Sequence, residues 1–104
     1  MRPLIHPPAE AITLPGLLHA LADPVRLAIV RRLAEVGEAS CRGSCNTLPA
    51  ATLSNHVRIL REAGVIRSRR EGTELINMLR RGEIDGRFPG LLDAILRASA
   101  DVAA

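Results

Sequence analysis

The chain contains almost no aromatic residues, no lysine and only two cysteines. Phe88 is the single aromatic residue among 104. This scarcity argues against nucleic-acid binders that stack bases on exposed rings, and against an all-β sandwich, whose strands are rich in aromatic residues. Two cysteines are too few for a disulfide scaffold. Because the sequence also lacks a secretory signal and an apolar run long enough to span a bilayer, we expect a cytoplasmic protein with no membrane partner.

The residues that are present favour one helical domain with a basic surface. A length of 104 residues fits a single domain, and a hydrophobic content of 47% excludes general disorder. All 14 basic residues are arginine, and the net charge is +3. Residues 58–81 hold seven arginines and three glutamates, a net +4, whereas the rest of the chain carries −1. A basic excess concentrated in one segment permits an anionic partner such as nucleic acid.

The first part of the chain predicts an arm followed by two helices. Three prolines within the first eight residues prevent regular helix, so we interpret residues 1–11 as a flexible N-terminal arm and residues 12–104 as the folded domain. Residues 14–21 predict a short apolar helix. Asp23 and Pro24 are the residue types that favour the N-cap and the first position of a second helix.

Residues 50–63 predict the most regular amphipathic helix of the chain. Leu53, Val57 and Leu60 form an apolar stripe at i, i+4 and i+7. The opposite face of this third helix is small, polar or charged: Ala51, Asn55, Arg58 and Glu62.

The third helix is followed by the pattern of a β-hairpin. Residues 65–70 and 73–79 have strand character, with Glu71 and Gly72 between them as a tight turn. Pro89 then opens a last apolar helix. The sequence therefore predicts a mainly α fold with a small β-hairpin, arranged as a winged helix-turn-helix.

Three segments resemble the ArsR/SmtB (arsenic-repressor) family. The sequence LADPVRL at residues 21–27 resembles the opening motif of that family, residues 52–66 resemble its recognition helix and the turn after it, and residues 69–72 resemble its wing tip. The three segments occur in the order and at the spacing of the family, and the resemblance covers about residues 12–102.

The resemblance implies a dimeric winged helix-turn-helix transcriptional repressor that an inducer, often a metal ion, releases from its operator. It also implies that the first and last helices, about residues 13–22 and 89–101, form the homodimer interface. Because a two-fold dimer places two recognition helices in successive major grooves, we expect the double-stranded DNA operator to be an imperfect palindrome.

The metal-binding patterns of the family are not reproduced here. Members with a zinc site use an Asp-x-His pair on the last helix, which in this chain offers Asp93 and Asp101 but no histidine. Members with a metalloid site carry Cys-x-Cys near the third helix, whereas three residues separate Cys41 from Cys45. We therefore predict no zinc site and no cofactor, and a soft metal or metalloid at the cysteine pair stays open.

Cys41 and Cys45 allow three interpretations. Two thiolates could begin a soft-metal site but need a third ligand, and His6 and His19 lie elsewhere in the sequence. A disulfide at i, i+4 is near the outer limit of Cα spacing, and it would distort the segment before the recognition helix, as a redox switch requires. The simplest interpretation is two small, half-buried hydrophobic residues.

Two groups of residues are predicted to contact DNA. Asparagine can bond adenine bidentately, threonine can contact a thymine methyl group, and arginine can bind guanine or phosphate. On the third helix the predicted contacts are Thr52, Ser54, Asn55, His56 and Arg58. In the hairpin, where phosphate or minor-groove contact is expected, they are Arg67, Arg69, Arg70 and Thr73. The plainer alternatives are that His56 only covers the core and that the hairpin is a solvated surface.

The sequence predicts a sequence-specific DNA-binding regulator, a homodimeric repressor released by an effector or by a thiol change. It is not expected to be an enzyme, because it has no nucleophile elbow, no paired carboxylates and no phosphate-binding loop. Two alternatives remain open. One is a winged-helix protein-interaction module without DNA binding, and the other is a constitutive DNA binder without an effector.

Overall fold

The computed structural model describes residues 3–44 and 47–101. The helices include short 3-10 segments at Ala9–Ala11 and Ser99–Asp101. The α-helices are α1 Leu14–Leu21, α2 Pro24–Val36, α3 Cys41–Ser44, α4 Ala50–Glu62, α5 Arg81–Arg87 and α6 Leu91–Ala98. The strands are β1 Glu38–Ser40, β2 Ile66–Glu71 and β3 Glu74–Leu79. The expected mainly α fold with a β-hairpin wing is confirmed.

The first two helices begin at side-chain caps that the sequence specifies. The Thr13 hydroxyl accepts a hydrogen bond from the Gly16 N–H at 3.1 Å. Asp23 Oδ1 accepts from the N–H groups of Val25 at 2.8 Å and Arg26 at 3.1 Å. These bonds satisfy donors that have no partner within the first turn of a helix, so the predicted start of α2 is confirmed.

The three strands form one antiparallel sheet in the order β1-β3-β2. Glu71 pairs with Glu74, so the turn of the hairpin consists of Gly72 and Thr73. The sequence placed this turn one residue earlier, at Glu71 and Gly72, which was wrong. Tight two-residue hairpin turns need a positive φ at the first central position, and Gly72, with φ of 63°, takes that position.

Strand β1 and helix α5 are among the short elements that were not predicted from the sequence. Strand β1 has only three residues and exists through its pairing with β3, almost forty residues later in the chain. Helix α5 contains Gly82 and Gly86, which disfavour helix, and it is held by the buried Ile84. The last helix begins at Leu91 and not at Pro89, because Gly90 has a left-handed φ of 81°.

The core lies between α4, the helices before it and the sheet. The apolar stripe of α4 is fully buried, as predicted, and α4 packs against α1, α2, α3 and β2. Among the residues whose burial the structure describes, fourteen buried hydrophobic residues form one cluster: Ile12, Leu17, Ala20, Leu21, Ile29, Val30, Leu33, Leu53, Val57, Leu60, Val65, Ile66, Ile84 and Leu92.

Gly64 closes α4 at a point where backbone and core meet. Its φ is 87°, and a Cβ atom at this position would lie 2.5 Å from Ile12 Cγ1. Real Cβ atoms do not approach that closely, and left-handed backbone is unfavourable for residues other than glycine. Glycine therefore allows the chain to turn from the recognition helix into the wing directly over Ile12.

We expect Gly64→Ala to destabilise the fold more than Gly37→Ala. Both glycines have φ of 87°, but nothing lies within 4 Å of the Cβ position at Gly37. Gly37→Ala should cost about 1–3 kcal/mol of unfolding free energy from backbone strain, because its φ of 87° and ψ of −60° are sparsely populated by other residues. Gly64→Ala should cost about 1–3 kcal/mol more from overpacking. Urea unfolding of both variants measures the difference, and equal losses would contradict the packing of Gly64 on Ile12.

Candidate nucleic-acid interface

The outer face of α4 carries most of the residues predicted to contact bases. Thr52, Ser54, Asn55 and Arg58 are exposed. Arg58 Nη2 donates to Asn55 Oδ1 at 2.6 Å, and its Nη1 donates to Glu62 Oε1 at 3.3 Å. Without a ligand, the two side chains with the best base-reading chemistry are therefore hydrogen-bonded to each other.

His56 lies on a different side of α4 from Asn55 and Arg58. Consecutive residues are separated by about 100° around a helix, which turns His56 towards the start of α2. The imidazole is half-buried, and its Nδ1 lies 3.2 Å from Arg26 Nη1. The predicted contact set on α4 therefore occupies two sides of the helix.

The wing arginines alternate between two faces, as expected for a strand. Arg67 and Arg69 project from the outer face of the sheet, where both form ion pairs with glutamates on other elements. Arg69 contacts Glu38 of β1 at 2.7 Å, and Arg67 contacts Glu83 of α5 at 3.1 Å. The hydrogen bonds from Arg69 lower the pKa of Glu38.

Arg70 projects from the opposite face of β2, towards α4. Together with Leu75 it forms one wall of an open groove of about 440 Å³ between the wing and α4. The α4 wall includes Ser54, Asn55 and Arg58. The structure thus brings one wing arginine beside the polar face of the recognition helix, and it places Thr73 at the exposed tip of the hairpin.

Arg61 also lines this groove, although it was not among the predicted contacts. Burial lowers its pKa, and its Nε is buried with no hydrogen-bond partner among the described residues. Arg61 lies three residues after Arg58 and seven after Ser54, so helical spacing could have placed it on the same side. The groove therefore holds three arginines, namely Arg58, Arg61 and Arg70.

The N-terminal arm forms the remaining wall of the groove, through Pro3, Leu4 and Ile5. His6 Nε2 accepts a hydrogen bond from the Ser68 N–H at 3.0 Å, on the outer edge of the sheet. The division of the chain into residues 1–11 and 12–104 stays a prediction. Within residues 3–11, His6, Pro7 and Glu10 form hydrogen bonds with the folded domain.

The buried side chain of Arg80 binds the N-terminal arm through a hydrogen bond. Arg80 Nη1 donates to the Pro7 carbonyl at 2.7 Å, and its Nη2 pairs with Glu83 at 2.6 Å. The Arg80 side chain is only 2% exposed. Its hydrogen bonds, together with those of Arg67, lower the pKa of Glu83 to about 2. The carboxylate thus stays ionised and compensates the buried guanidinium.

Cys41 contacts one polar side chain, and no set of metal ligands surrounds it among the described residues. Cys41 is half-buried, and Asn77 Nδ2 lies 3.6 Å from its Sγ. Cys45 lies outside the described residues. Within the described residues no three His, Cys, Asp or Glu side chains are grouped closely enough to hold a metal ion. The metal and redox interpretations of the pair stay predictions.

The sequence and the fold of the chain are both similar to those of known helix-turn-helix regulators. The helix-turn-helix domain family HTH_20 matches residues 21–69. The HTH-type transcriptional repressor SmtB of Mycobacterium tuberculosis is 40% identical over 76 residues, which are 70% of this chain and 56% of that protein. The transcriptional repressor BigR from Xylella fastidiosa superposes with a TM-score of 0.64 and 26% identity, over 88% of this chain and 87% of BigR. The chain is thus similar in sequence to an SmtB repressor and in fold to ArsR family regulators.

The structural similarity to an ArsR family regulator extends over nearly the whole chain. An ArsR family transcriptional regulator of known structure covers 92% of it with a TM-score of 0.65 and 21% identity, which shows the shared fold. The chain nevertheless spans little more than half the length of its SmtB relative. Among the described helices, none is long and apolar enough to cross a membrane.

We expect the docking of the arm to weaken as pH falls. Burial lowers the pKa of His6 below its ordinary value of 6.5, with further lowering by Arg67, Arg61 and Arg80. As pH falls below 6.5, the unfolded chain takes up the proton before the folded protein does, so the free energy of unfolding falls towards the lower folded pKa. A protonated ring also cannot accept the bond from Ser68.

Denaturant unfolding between pH 8 and pH 5 measures this effect in the wild type and in His6→Gln. The variant has no titrating ring at this position, so it should lose that part of the pH dependence. Identical slopes in the two proteins would show that His6 does not carry it.

Proposed function

We propose that this protein is a member of the ArsR/SmtB family and a sequence-specific, double-stranded-DNA-binding transcriptional repressor. The observation that carries the proposal is the groove between α4 and the wing, where Arg58, Arg61 and Arg70 stand beside the polar face of the recognition helix. Arginines spaced along such a groove suit a phosphate backbone. The repressors among its relatives support the same function.

The two sides of the groove have different roles in this proposal. On α4, Asn55 suits adenine, Arg58 suits guanine or phosphate, and Thr52 and Ser54 contact the neighbouring base edges or phosphates. DNA must replace the bond between Arg58 and Asn55. Arg61 and Arg70 contribute charge from the floor and from the wing. These contacts fix the position of the duplex but carry no sequence information.

The wing tip makes the outer contacts. Thr73 and Arg69 lie on the exposed part of the hairpin, where phosphate or the minor groove is within reach. Arg67 and Arg69 exchange their bonds with Glu83 and Glu38 for bonds to phosphate. Such solvent-exposed ion pairs contribute little to stability, so this exchange costs little.

A second copy of the chain completes the protein in this proposal. Leu14 and Leu18 on α1 are 41% and 46% exposed. Leu18 borders an apolar groove whose other walls come from α2 and α6, including Leu27 and Ile95. Two-fold pairing buries both copies of this surface at once and places two recognition helices for an imperfect palindrome.

Release from DNA is proposed to follow an effector, as is typical of the ArsR/SmtB family, or a change at a thiol. Cys41 contacts Asn77 of the wing strand β3, so a change at its sulfur would reach the sheet. A constitutive repressor without an effector remains the alternative. In this proposal the protein is a regulator and not an enzyme, and it acts in the cytoplasm.

The proposal is tested by selecting binding sites from random duplex DNA and measuring affinity by fluorescence anisotropy across a salt series. A repressor of this kind should select a two-fold sequence and lose affinity steeply with salt, because each phosphate contact releases counterions. Absence of duplex binding at any salt concentration would favour the protein-interaction module.

We expect Asn55→Ala and Arg70→Ala to differ in kind. Loss of Asn55 should cost about 1–3 kcal/mol per half-site and relax the preference at one base position. Loss of Arg70 should weaken all sequences nearly equally and flatten the salt dependence. Arg32→Ala is the matched control, because Arg32 is exposed on α2 and does not line the groove. A change of sequence preference in Arg70→Ala alone would reverse the assignment.

We expect Leu18→Glu to convert a stable dimer into monomers. The substitution places an unpaired charge in the proposed interface of each copy, and such burial costs several kcal/mol. Val36→Glu is the control, because Val36 is 43% exposed but lies outside the apolar groove. Sedimentation equilibrium at micromolar concentration distinguishes the two states. A wild-type monomer, or a dimer in Leu18→Glu, would contradict the proposed interface.

A further inference from the structure

We propose that Arg26 is a positioning residue that fixes the tautomer of His56 and so makes the recognition helix present a hydrogen-bond donor. The two residues are thirty positions apart in the chain. Arg26 lies in the first turn of α2, and His56 lies in the middle of α4. Arg26 Nη1 is 3.2 Å from His56 Nδ1. This contact joins the start of α2 to the recognition helix.

The Arg26 guanidinium is held in place from the other side by the end of α1. Its Nε donates to the Ala20 carbonyl at 2.6 Å, and its Nη2 donates to the His19 carbonyl at 3.3 Å. Both carbonyls lie in the last turn of α1, where i+4 helical partners are missing, and the His19 carbonyl also accepts from the Ala22 N–H at 3.3 Å. The backbone of Arg26 is fixed as well, through the bond from its N–H to Asp23. The donor that faces His56 is therefore held at one position.

This geometry permits a single tautomer of His56. A guanidinium group has five donors and no acceptor. The bond to Arg26 consequently requires a bare Nδ1 on His56. In the neutral ring the only proton is then on Nε2. With a proton on Nδ1, two hydrogen-bond donors would face each other, and the contact between Arg26 and His56 would be lost.

The consequence for recognition rests on the proposed DNA-binding function. With its proton on Nε2, the ring can donate to a phosphate oxygen, to the N7 of a purine, to guanine O6 or to thymine O4. It cannot accept from the amino groups of adenine or cytosine. Arg26 thus determines which base edges His56 can bind as a hydrogen-bond donor, although Arg26 need not touch DNA itself.

The tautomer is measured in the full-length protein without DNA, by long-range proton–nitrogen correlation spectra of the imidazole rings. His56 should show the Nε2–H pattern in the wild type. In Arg26→Gln it should shift towards a mixture of tautomers. His6 is an internal control in the same spectrum, because it accepts the Ser68 N–H through Nε2 and must carry its proton on Nδ1. Its pattern should not change.

DNA affinity supplies the second measurement. Arg26→Gln and His56→Ala should each weaken binding by roughly 2- to 10-fold per half-site, the worth of one hydrogen bond. The double variant should bind no more weakly than His56→Ala, because Arg26 acts through His56. Additive losses would overturn the proposal.

Two further variants keep the test decisive if Arg26→Gln does not fold. His56→Gln places an amide donor near the position of Nε2, whereas His56→Asn places one near Nδ1. We expect His56→Gln to bind more tightly than His56→Asn, and the reverse order would overturn the proposal. An Nδ1–H pattern for wild-type His56 would overturn it as well, whatever the result with DNA. Normal tautomers in a protein that fails to bind duplex DNA would refute the proposed function alone.

Discussion

The burial of one apolar stripe on α4 is the constraint on which the rest of the structure depends. Leu53, Val57 and Leu60 are almost completely inaccessible to solvent. Burying them fixes the rotation of α4 about its axis, and that rotation turns Asn55 and Arg58 outwards. A rotation that exposed part of the stripe would cost hydrophobic free energy for each side chain. The polar surface of the helix is thus oriented by the apolar surface behind it.

Other protein groups already order three arginines of the candidate interface, namely Arg58, Arg67 and Arg69. On the outer face of the wing the partners are glutamates of β1 and α5. On the recognition helix the partner of Arg58 is the side chain of Asn55. DNA would therefore exchange bonds and would not order long side chains from a disordered state. This arrangement reduces the entropy lost on binding and keeps the basic segment from repelling itself.

A chain of hydrogen bonds connects the arm, the wing and the helix α3. The arm reaches Ser68 through His6, and the Ser68 hydroxyl donates to Asn77 at 2.6 Å. Asn77 in turn contacts Cys41. Ser68 and Asn77 are both buried polar residues, and buried polar groups are costly unless they are paired. The network therefore ties three segments that are distant in sequence to one position of the sheet.

The sequence by itself determined the elements whose signals are local. The cap at Asp23, the glycine after α2 and the stripe of α4 depend on neighbours within a few residues, so periodicity and capping rules found α1, α2, α4 and the hairpin. Only the tertiary structure decided the rest. Strand β1, the place of Arg61 and Arg70 in one groove, and the contact between Arg26 and His56 join residues far apart in the chain. Such pairings arise when the core closes, and spacing along the sequence carries no record of them.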